Sequence, residues 1–224
     1  QNKEKFRKNS MTKELTKRII TSILLFISAI FCILIDKTFC ILTILIVLLW
    51  PTFKEWININ NKDFKFSIIG FVYLCFVSFS AYHLRGNSFE DAVFLIFILC
   101  ICAGSDIGGY IFGKIIGGKK LIKISPNKTI SGCLGSFVFS ILPIFIFNFQ
   151  NYINFELSLK NILFCLTVSL SCQIGDLIIS YFKRLNKIKD TGTILPGHGG
   201  LLDRIDGIIF AVPTVFILKI TQIF

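Results

Sequence analysis

From Asn161 to Phe182 the chain reads NILFCLTVSLSCQIGDLIISYF, and from Lys183 to Asp206 it continues KRLNKIKDTGTILPGHGGLLDRID before turning apolar again. An apolar run of about 20 residues is long enough to cross the hydrocarbon of a bilayer. The polar run behind it cannot face lipid. Ionised side chains cost about 2.5–3.5 kcal/mol each at a helix centre on insertion scales, and every backbone group there needs a partner. These 46 residues therefore describe a membrane span that delivers a polar segment to a cavity or to the water boundary.

The same alternation runs through the whole chain. Of its 224 residues 54% are hydrophobic and 25 are Phe, and the mean hydropathy is +0.74, too apolar for a soluble domain that must cover itself with polar surface. Apolar runs at about 19–36, 38–53, 66–82, 92–113, 130–150, 161–182 and 207–224 predict an all-α, polytopic membrane bundle of about seven helices. No internal repeat and no Pro/Ser-rich linker divides it, so the expected organisation is a basic segment, 1–18, followed by one membrane domain, 19–224. The N-terminal run of Lys and Arg ahead of an apolar stretch resembles a signal peptide, but no small-residue cleavage site follows and the apolar run is long, so cleavage is not expected. Met11, ahead of Lys13, Lys17 and Arg18, is a candidate start of the functional chain.

Twenty of the 24 Lys and Arg fall in the N-terminus and the segments 51–65, 114–128 and 183–206, which alternate with loops holding only Lys37, Arg85, Lys160 and Lys219. By the positive-inside rule the N-terminus and those three segments face the cytoplasm. The net charge of +11 is thus spread over juxtamembrane loops without a nucleic-acid motif, which points to anionic lipid headgroups rather than nucleic acid. The eight cysteines lie in apolar runs without CxxC pairs and read as small core residues. Trp50, Pro51 and Trp56 read as an interfacial anchor and helix stop.

Three polar constellations share the cytoplasmic side. Asp176, Ser180 and Arg184 are spaced i, i+4, i+8 with Lys183 beside them, so a helix puts an acid about 12 Å below a basic rim. Next comes LPGHGG (195–200) running into DRID (203–206). The glycines let backbone N–H groups approach a ligand, and Asp203 and Asp206, i and i+3, suit a hard divalent cation such as magnesium, which shares its coordination with substrate phosphates. His198 and Arg204 could hold phosphate oxygens; a tight turn at His198 and a cap at Asp203 are the plain alternatives. The third is Ser105-Asp-Ile-Gly-Gly-Tyr110, continuing through Gly113, Lys114 and Gly117–Lys120 to Ser125-Pro-Asn-Lys-Thr129. Its composition is that of a phosphate cradle, although Gly108, Gly109 and Gly113 would equally serve close helix packing. Asp106, Asp176, Asp203 and Asp206 with Lys128, Lys183, Arg184 and Arg204 are the inventory of phosphoryl or nucleotidyl transfer, whose transition states need metal and cationic stabilisation and little covalent work.

At these residues the chain resembles the CDP-diacylglycerol synthases, or phosphatidate cytidylyltransferases. The family signature is Ser-x-apolar-Lys-Arg, four residues, Lys-Asp-x-small, two residues, then apolar-Pro-x-His-Gly-Gly-apolar-x-Asp-Arg-apolar-Asp. It is met at every position from Ser180 to Asp206. The Asp106 segment is similar to the family's Asp-Thr-Gly-Ala-Tyr, with Ile107 and Gly109 in place of Thr and Ala. Ser125–Thr129 is similar to Ser-Pro-Lys-Lys-Thr, with Asn127 removing one cation. The similarity covers about residues 100–210; the N-terminal half matches mainly in hydropathy.

The resemblance implies transfer of the cytidylyl group of CTP to phosphatidate, giving CDP-diacylglycerol and diphosphate. It implies magnesium, with or without a second cation, on Asp176, Asp203 and Asp206. Lys183, Arg184 and Arg204 would meet phosphate charge, with His198 and the Gly199–Gly200 backbone positioning substrate. Ser125, Lys128 and Thr129 would bind nucleotide phosphates, with Asp106 and Ser180 completing the substrate site. A cytoplasmic active site agrees with the distribution of Lys and Arg, whereas a bacterial-type inner (plasma) membrane and a homodimer are implied only by the resemblance. A nucleotidyltransferase for another lipid phosphate is the neighbouring expectation. An ion-coupled transporter, with Asp106 and Asp176 on the cation, is the reading from a different class; no inverted repeat supports it.

Overall fold

A computed structural model describes residues 20–59, 63–122, 125–149, 156–194 and 199–223. The basic segment 1–18 and His198 lie outside them. The helices are α1 (Ile20–Ile35), α2 (Lys37–Thr43), a π-helical turn (Ile44–Leu49), α3 (Trp50–Ile59), α4 (Phe64–Arg85) and α5 (Phe89–Ile115). A two-stranded antiparallel hairpin, β1 (Lys120–Ile122) and β2 (Ser125–Thr129), leads to α6 (Ile130–Phe149), α7 (Leu159–Leu185), a single turn α8 (Leu202–Ile205) and α9 (Ile208–Ile220). Among the described residues five helical runs are long and apolar enough to cross a membrane, and α1 and α9 are shorter apolar helices. At 13 residues, α9 is about 20 Å long against a hydrocarbon thickness of about 30 Å. The all-α membrane bundle read from the sequence is thus present, and the run at 207–224 makes a shorter helix than expected. Large apolar side chains such as Ile23, Leu24, Phe31, Ile69, Val72, Leu134 and Ile146 stay exposed on its surface, as a lipid-facing belt requires.

Polar caps start the helices where the chain re-enters. Asp36 accepts from the Thr38 amide and Asp63 from the Lys65 amide. Ser88 and Asp91 form a capping box on α5, and Ser158 accepts from the Asn161 amide on α7. Each satisfies helix-start donors that otherwise lack partners. Arg85, almost fully buried, donates to the carbonyls of Ile33, Gly86 and Ser88, closing the end of α1 over the start of α5. The cysteines are free thiols, with Cys40, Cys102, Cys165 and Cys172 buried and Cys75 exposed.

Prolines interrupt three helices, each with its own remedy. Pro51 does not stop the second span: the π turn at Ile44–Leu49 widens the backbone just ahead of it, where the ring would meet the carbonyl four residues back, and the helix runs on to Ile59. The segment read as a loop from residue 51 is therefore largely helix, and Trp56 packs over Gly70 of α4 and donates to the Phe66 carbonyl. Pro143 frees the carbonyl of Phe139, which approaches α5 where Gly104 leaves room: a Cβ there would stand 2.8 Å from that oxygen. Pro213 frees the carbonyl of Ile209, and the Tyr73 hydroxyl of α4 donates to it at 3.0 Å.

Glycines fix the helix spacing that carries the site. A Cβ on Gly108 would lie 2.3 Å from the Gly135 carbonyl oxygen, and one on Gly135 would lie 2.7 Å from that of Gly108. Helices α5 and α6 therefore touch backbone to backbone, the close-packing role of small residues in membrane helices. On the other side, a Cβ on Gly175 would lie 2.5 Å from the Asp206 carbonyl oxygen, which brings α7 against the α8–α9 junction. A buried Ser105–Ser169 hydroxyl pair, 2.8 Å apart, joins α5 to α7.

Replacing Tyr73 by Phe leaves the Ile209 carbonyl without its donor inside an apolar bundle. The expected cost is about 1–3 kcal/mol, read as a lower midpoint of thermal unfolding in detergent with the helix content of the folded state unchanged.

Candidate active site

A cavity of about 400 Å³ opens where α5 and α7 end and α6 begins, within the size range of small-molecule sites. Its acids come from three elements. Asp106 lies nine residues before the end of α5 and Asp176 nine before the end of α7, each about 14 Å below its helix end. Asp206 follows α8 directly, and one of its carboxylate oxygens accepts from the Gly207 amide at 2.9 Å. Burial, then the Asp176 and Asp106 carboxylates, raise Asp206 well above the usual carboxylate range, with Lys183 opposing. Three carboxyl groups crowd one floor, a setting that favours a cation or a proton between them.

Lys128 from β2 pairs with Asp176 across the cavity, and Asp176 also accepts from the Ser180 hydroxyl at 3.2 Å. Arg204 lines the same cavity and, with Lys128, bears electrostatically on Asp106. The hairpin presents Ser125, Lys128 and Thr129 to the cavity. It is held in place by the Ile130 amide on the Lys119 carbonyl. Thr129 has a second task, since its hydroxyl accepts from the Gly132 amide at 3.1 Å and so caps the start of α6. The cavity therefore has an acidic floor and a wall made of two cations and a helix N-terminus, where negative charge is favoured.

Asp203 sits differently from the other acids. One oxygen accepts from Lys183 at 2.7 Å. The other accepts from the Thr191 amide at 2.8 Å and the Gly200 amide at 3.2 Å, and lies 3.1 Å from the Thr191 hydroxyl oxygen, whose single proton goes to the closer Glu55 carboxylate. Its charge and most of its lone pairs are engaged within the chain, so it braces the loop against α7 while one side of it borders the cavity. The Gly200 amide is likewise spent on Asp203. Gly199 adopts φ +89, a left-handed turn for which glycine is the fitting residue. Arg184 is exposed and reaches only the Ile188 carbonyl, at 3.5 Å.

Of the residues singled out from the sequence, the cavity thus gathers Asp106, Ser125, Lys128, Thr129, Asp176, Asp203, Arg204 and Asp206. Ser180 and Lys183 stand one contact behind it, through Asp176 and Asp203. Gly199 and Gly200 shape the loop, and Arg184 lies apart. Among the described residues no three His, Cys, Asp or Glu side chains are grouped at metal-ligand spacing, because Asp203 faces Lys183 and Thr191 while Asp176 faces Lys128. Sequence reasoning missed Gln173, which lines the cavity, and Glu55, which is 3% exposed beneath the signature loop. Glu55 left one trace: Thr52, Glu55 and Ile59, spaced i, i+3, i+7, are the buried face of α3.

A sequence model of the cytidylyltransferase family matches residues 60–221, which include every residue of the cavity. The phosphatidate cytidylyltransferase of Rickettsia bellii is 35% identical over 225 residues, covering 97% of this chain and 96% of that protein. The protein of the same name from Rickettsia typhi is 35% identical over 210 residues, 91% of each chain. That of Staphylococcus saprophyticus is 40% identical over 156 residues, 68% of this chain and 55% of the staphylococcal one. With its acidic floor, cationic wall and signature loop read beside that match, the chain belongs to the cytidylyltransferase family.

Proposed function

We propose that the chain is a phosphatidate cytidylyltransferase, converting CTP and phosphatidate to CDP-diacylglycerol and diphosphate. The observation that carries this reading is the cavity in which Asp106, Asp176 and Asp206 lie beneath Lys128 and Arg204, on a protein of this family that is built to sit in a bilayer. Phosphoryl-group chemistry needs that combination, with cations for the phosphate oxygens and carboxylates for a metal ion.

A phosphate oxygen of phosphatidate would form a bond to the α-phosphorus of CTP as the bond between the α-phosphorus and the bridging oxygen breaks. The electron pair leaves with diphosphate. The attacking phosphate is already ionised at neutral pH, so no side chain has to remove a proton. Lys128 and Arg204 would hold the nucleotide phosphates and offset the charge that develops on them. Lys183 would act through Asp203, keeping Arg204 and Asp206 aimed into the cavity. The all-oxygen donors of the floor fit magnesium, which takes one or two carboxylates and keeps its remaining positions for water and substrate phosphates. Asp206, Asp176 and Asp106 are the residues that would hold it, with Asp176 exchanging its contact with Lys128. When bound, the ion would polarise phosphate oxygens.

The excess of Lys and Arg in the segments that build the cavity supports an active site facing the cytoplasm, and the bacterial relatives support an inner-membrane location. A homodimer and anionic lipids at the basic loops complete the reading.

The test is magnesium-dependent incorporation of label from CTP into lipid by purified protein reconstituted with phosphatidate. Asp206→Asn is expected to lower turnover by about 10²-fold or more while leaving the folded bundle intact, and chelation of divalent cations is expected to stop the wild-type reaction. Near-normal turnover of a folded Asp206→Asn protein would refute the assignment of the floor. Preference for a polyprenyl or ether-lipid phosphate over phosphatidate would move the protein to another lipid substrate.

Lys128→Ala removes one phosphate contact and at the same time releases Asp176. Its kcat/KM for CTP is expected to fall by about 10²-fold, with Lys128→Arg recovering part of the loss in the same assay.

A further inference from the structure

Helix α8 has four residues, Leu202–Ile205, too few to hold a helical turn by its own hydrogen bonds. Yet it carries Asp203 and Arg204 and delivers Asp206. Its orientation has to be imposed from outside, and the element that does so is α3, more than 140 residues away in the chain.

The Glu55 carboxylate, 3% exposed, accepts three hydrogen bonds. The Leu201 amide donates at 2.9 Å, the Leu202 amide at 2.8 Å and the Thr191 hydroxyl at 2.9 Å. Two of these donors are the backbone groups that a helix start leaves without intrahelical partners. The third belongs to a residue whose amide donates to Asp203. The loop is shaped around this carboxylate. A Cβ on Gly192 would lie 2.6 Å from one Glu55 oxygen, and a Cβ on Gly200 would lie 2.5 Å from the other. Two glycines of the signature region are thus needed to admit the side chain of a residue outside it. Hydrogen bonds to an ionised acceptor are about twice as strong as neutral ones, and a buried carboxylate whose donors are removed is costly to keep. Glu55 is therefore a stiff joint between α3 and the acid-bearing turn.

We propose that Glu55 is a positioning residue for the transfer site: it touches no substrate atom and acts by holding residues 191–192 and 200–202 so that Asp203, Arg204 and Asp206 keep their places in the cavity. The effect on catalysis rests on the cytidylyltransferase reading; the clamp itself does not. Gln at this position keeps the shape but turns one acceptor into a donor that faces an N–H or O–H group, so at least one of the three bonds is lost.

The experiment compares wild type, Glu55→Gln and Gly200→Ala in lipid nanodiscs by backbone hydrogen exchange and by steady-state kinetics with CTP and phosphatidate. In Glu55→Gln the Leu201 and Leu202 amides are expected to exchange roughly tenfold faster or more, with α5 and α6 unchanged. Turnover is expected to fall about 10- to 100-fold, with KM for CTP within about threefold of wild type, since small displacements of positioned groups act mainly on kcat. Gly200→Ala, whose methyl group would meet the Thr191 hydroxyl at 1.9 Å and a Glu55 oxygen at 2.5 Å and so part these two partners, is expected to give the same local pattern and decides the matter if Glu55→Gln does not insert. Wild-type exchange at both amides in the folded variants would overturn the clamp, and a loosened loop with undiminished turnover would overturn its positioning role. If the wild-type protein transfers no cytidylyl group to any lipid phosphate, the functional reading fails while exchange at Leu201 and Leu202 still decides the clamp.

Discussion

A carboxylate taken out of water must be given a partner, and the architecture around the cavity follows from how its acids are supplied with theirs. Asp176 has Lys128 from the hairpin, Asp203 has Lys183 and two amides of its own loop, and Glu55 has two backbone amides and a hydroxyl. The Asp176 and Glu55 pairings join elements that are distant in sequence, so the charges that equip the cavity also weld its walls together. At Asp206, burial and crowding by the Asp176 and Asp106 carboxylates favour a proton or a cation on the acid.

Distances between those groups are set by glycines. Backbone contact between α5 and α6 at Gly108 and Gly135 brings Asp106 and the hairpin to one cavity, and the contact of Gly175 with the Asp206 carbonyl places Asp176 beside Asp206. In a bilayer, where apolar side chains gain nothing by leaving lipid for each other, such close approach is what holds helices in register. The small residues around the site are therefore part of its geometry even when, like Gly108, they have no room for a ligand.

Much of this was legible in the chain. Runs of about 20 apolar residues mark the spans, and the spacing from Ser180 to Asp206 marks the reaction class. Asp106 and Asp176 stood out because charge inside an apolar run has few structural explanations. What could not be read were relations that depend on tertiary contact. Pro51 signals a helix stop by local rules, and only the π turn before it lets α3 continue. Glu55 is one of two acids in the basic stretch 51–65, and nothing local says that it points into a loop far along the chain. Asp203 and Asp206 look equivalent at i and i+3, yet Lys183 and Thr191 claim one and leave the other at the floor. The distinction between a bracing acid and an open one lies in partners that come from other elements.

Tyr73 and Pro213 offer a last consequence. The ring of Pro213 leaves a carbonyl of α9 without its helical donor, and a hydroxyl on α4 replaces that donor. Each residue is a defect without the other: proline alone strands an acceptor in an apolar bundle, and tyrosine alone buries a hydroxyl without this acceptor. Selection acts on the two positions as one, so among relatives they should be gained and lost together, and the α4–α9 contact would be traceable from paired substitutions even where no structure exists.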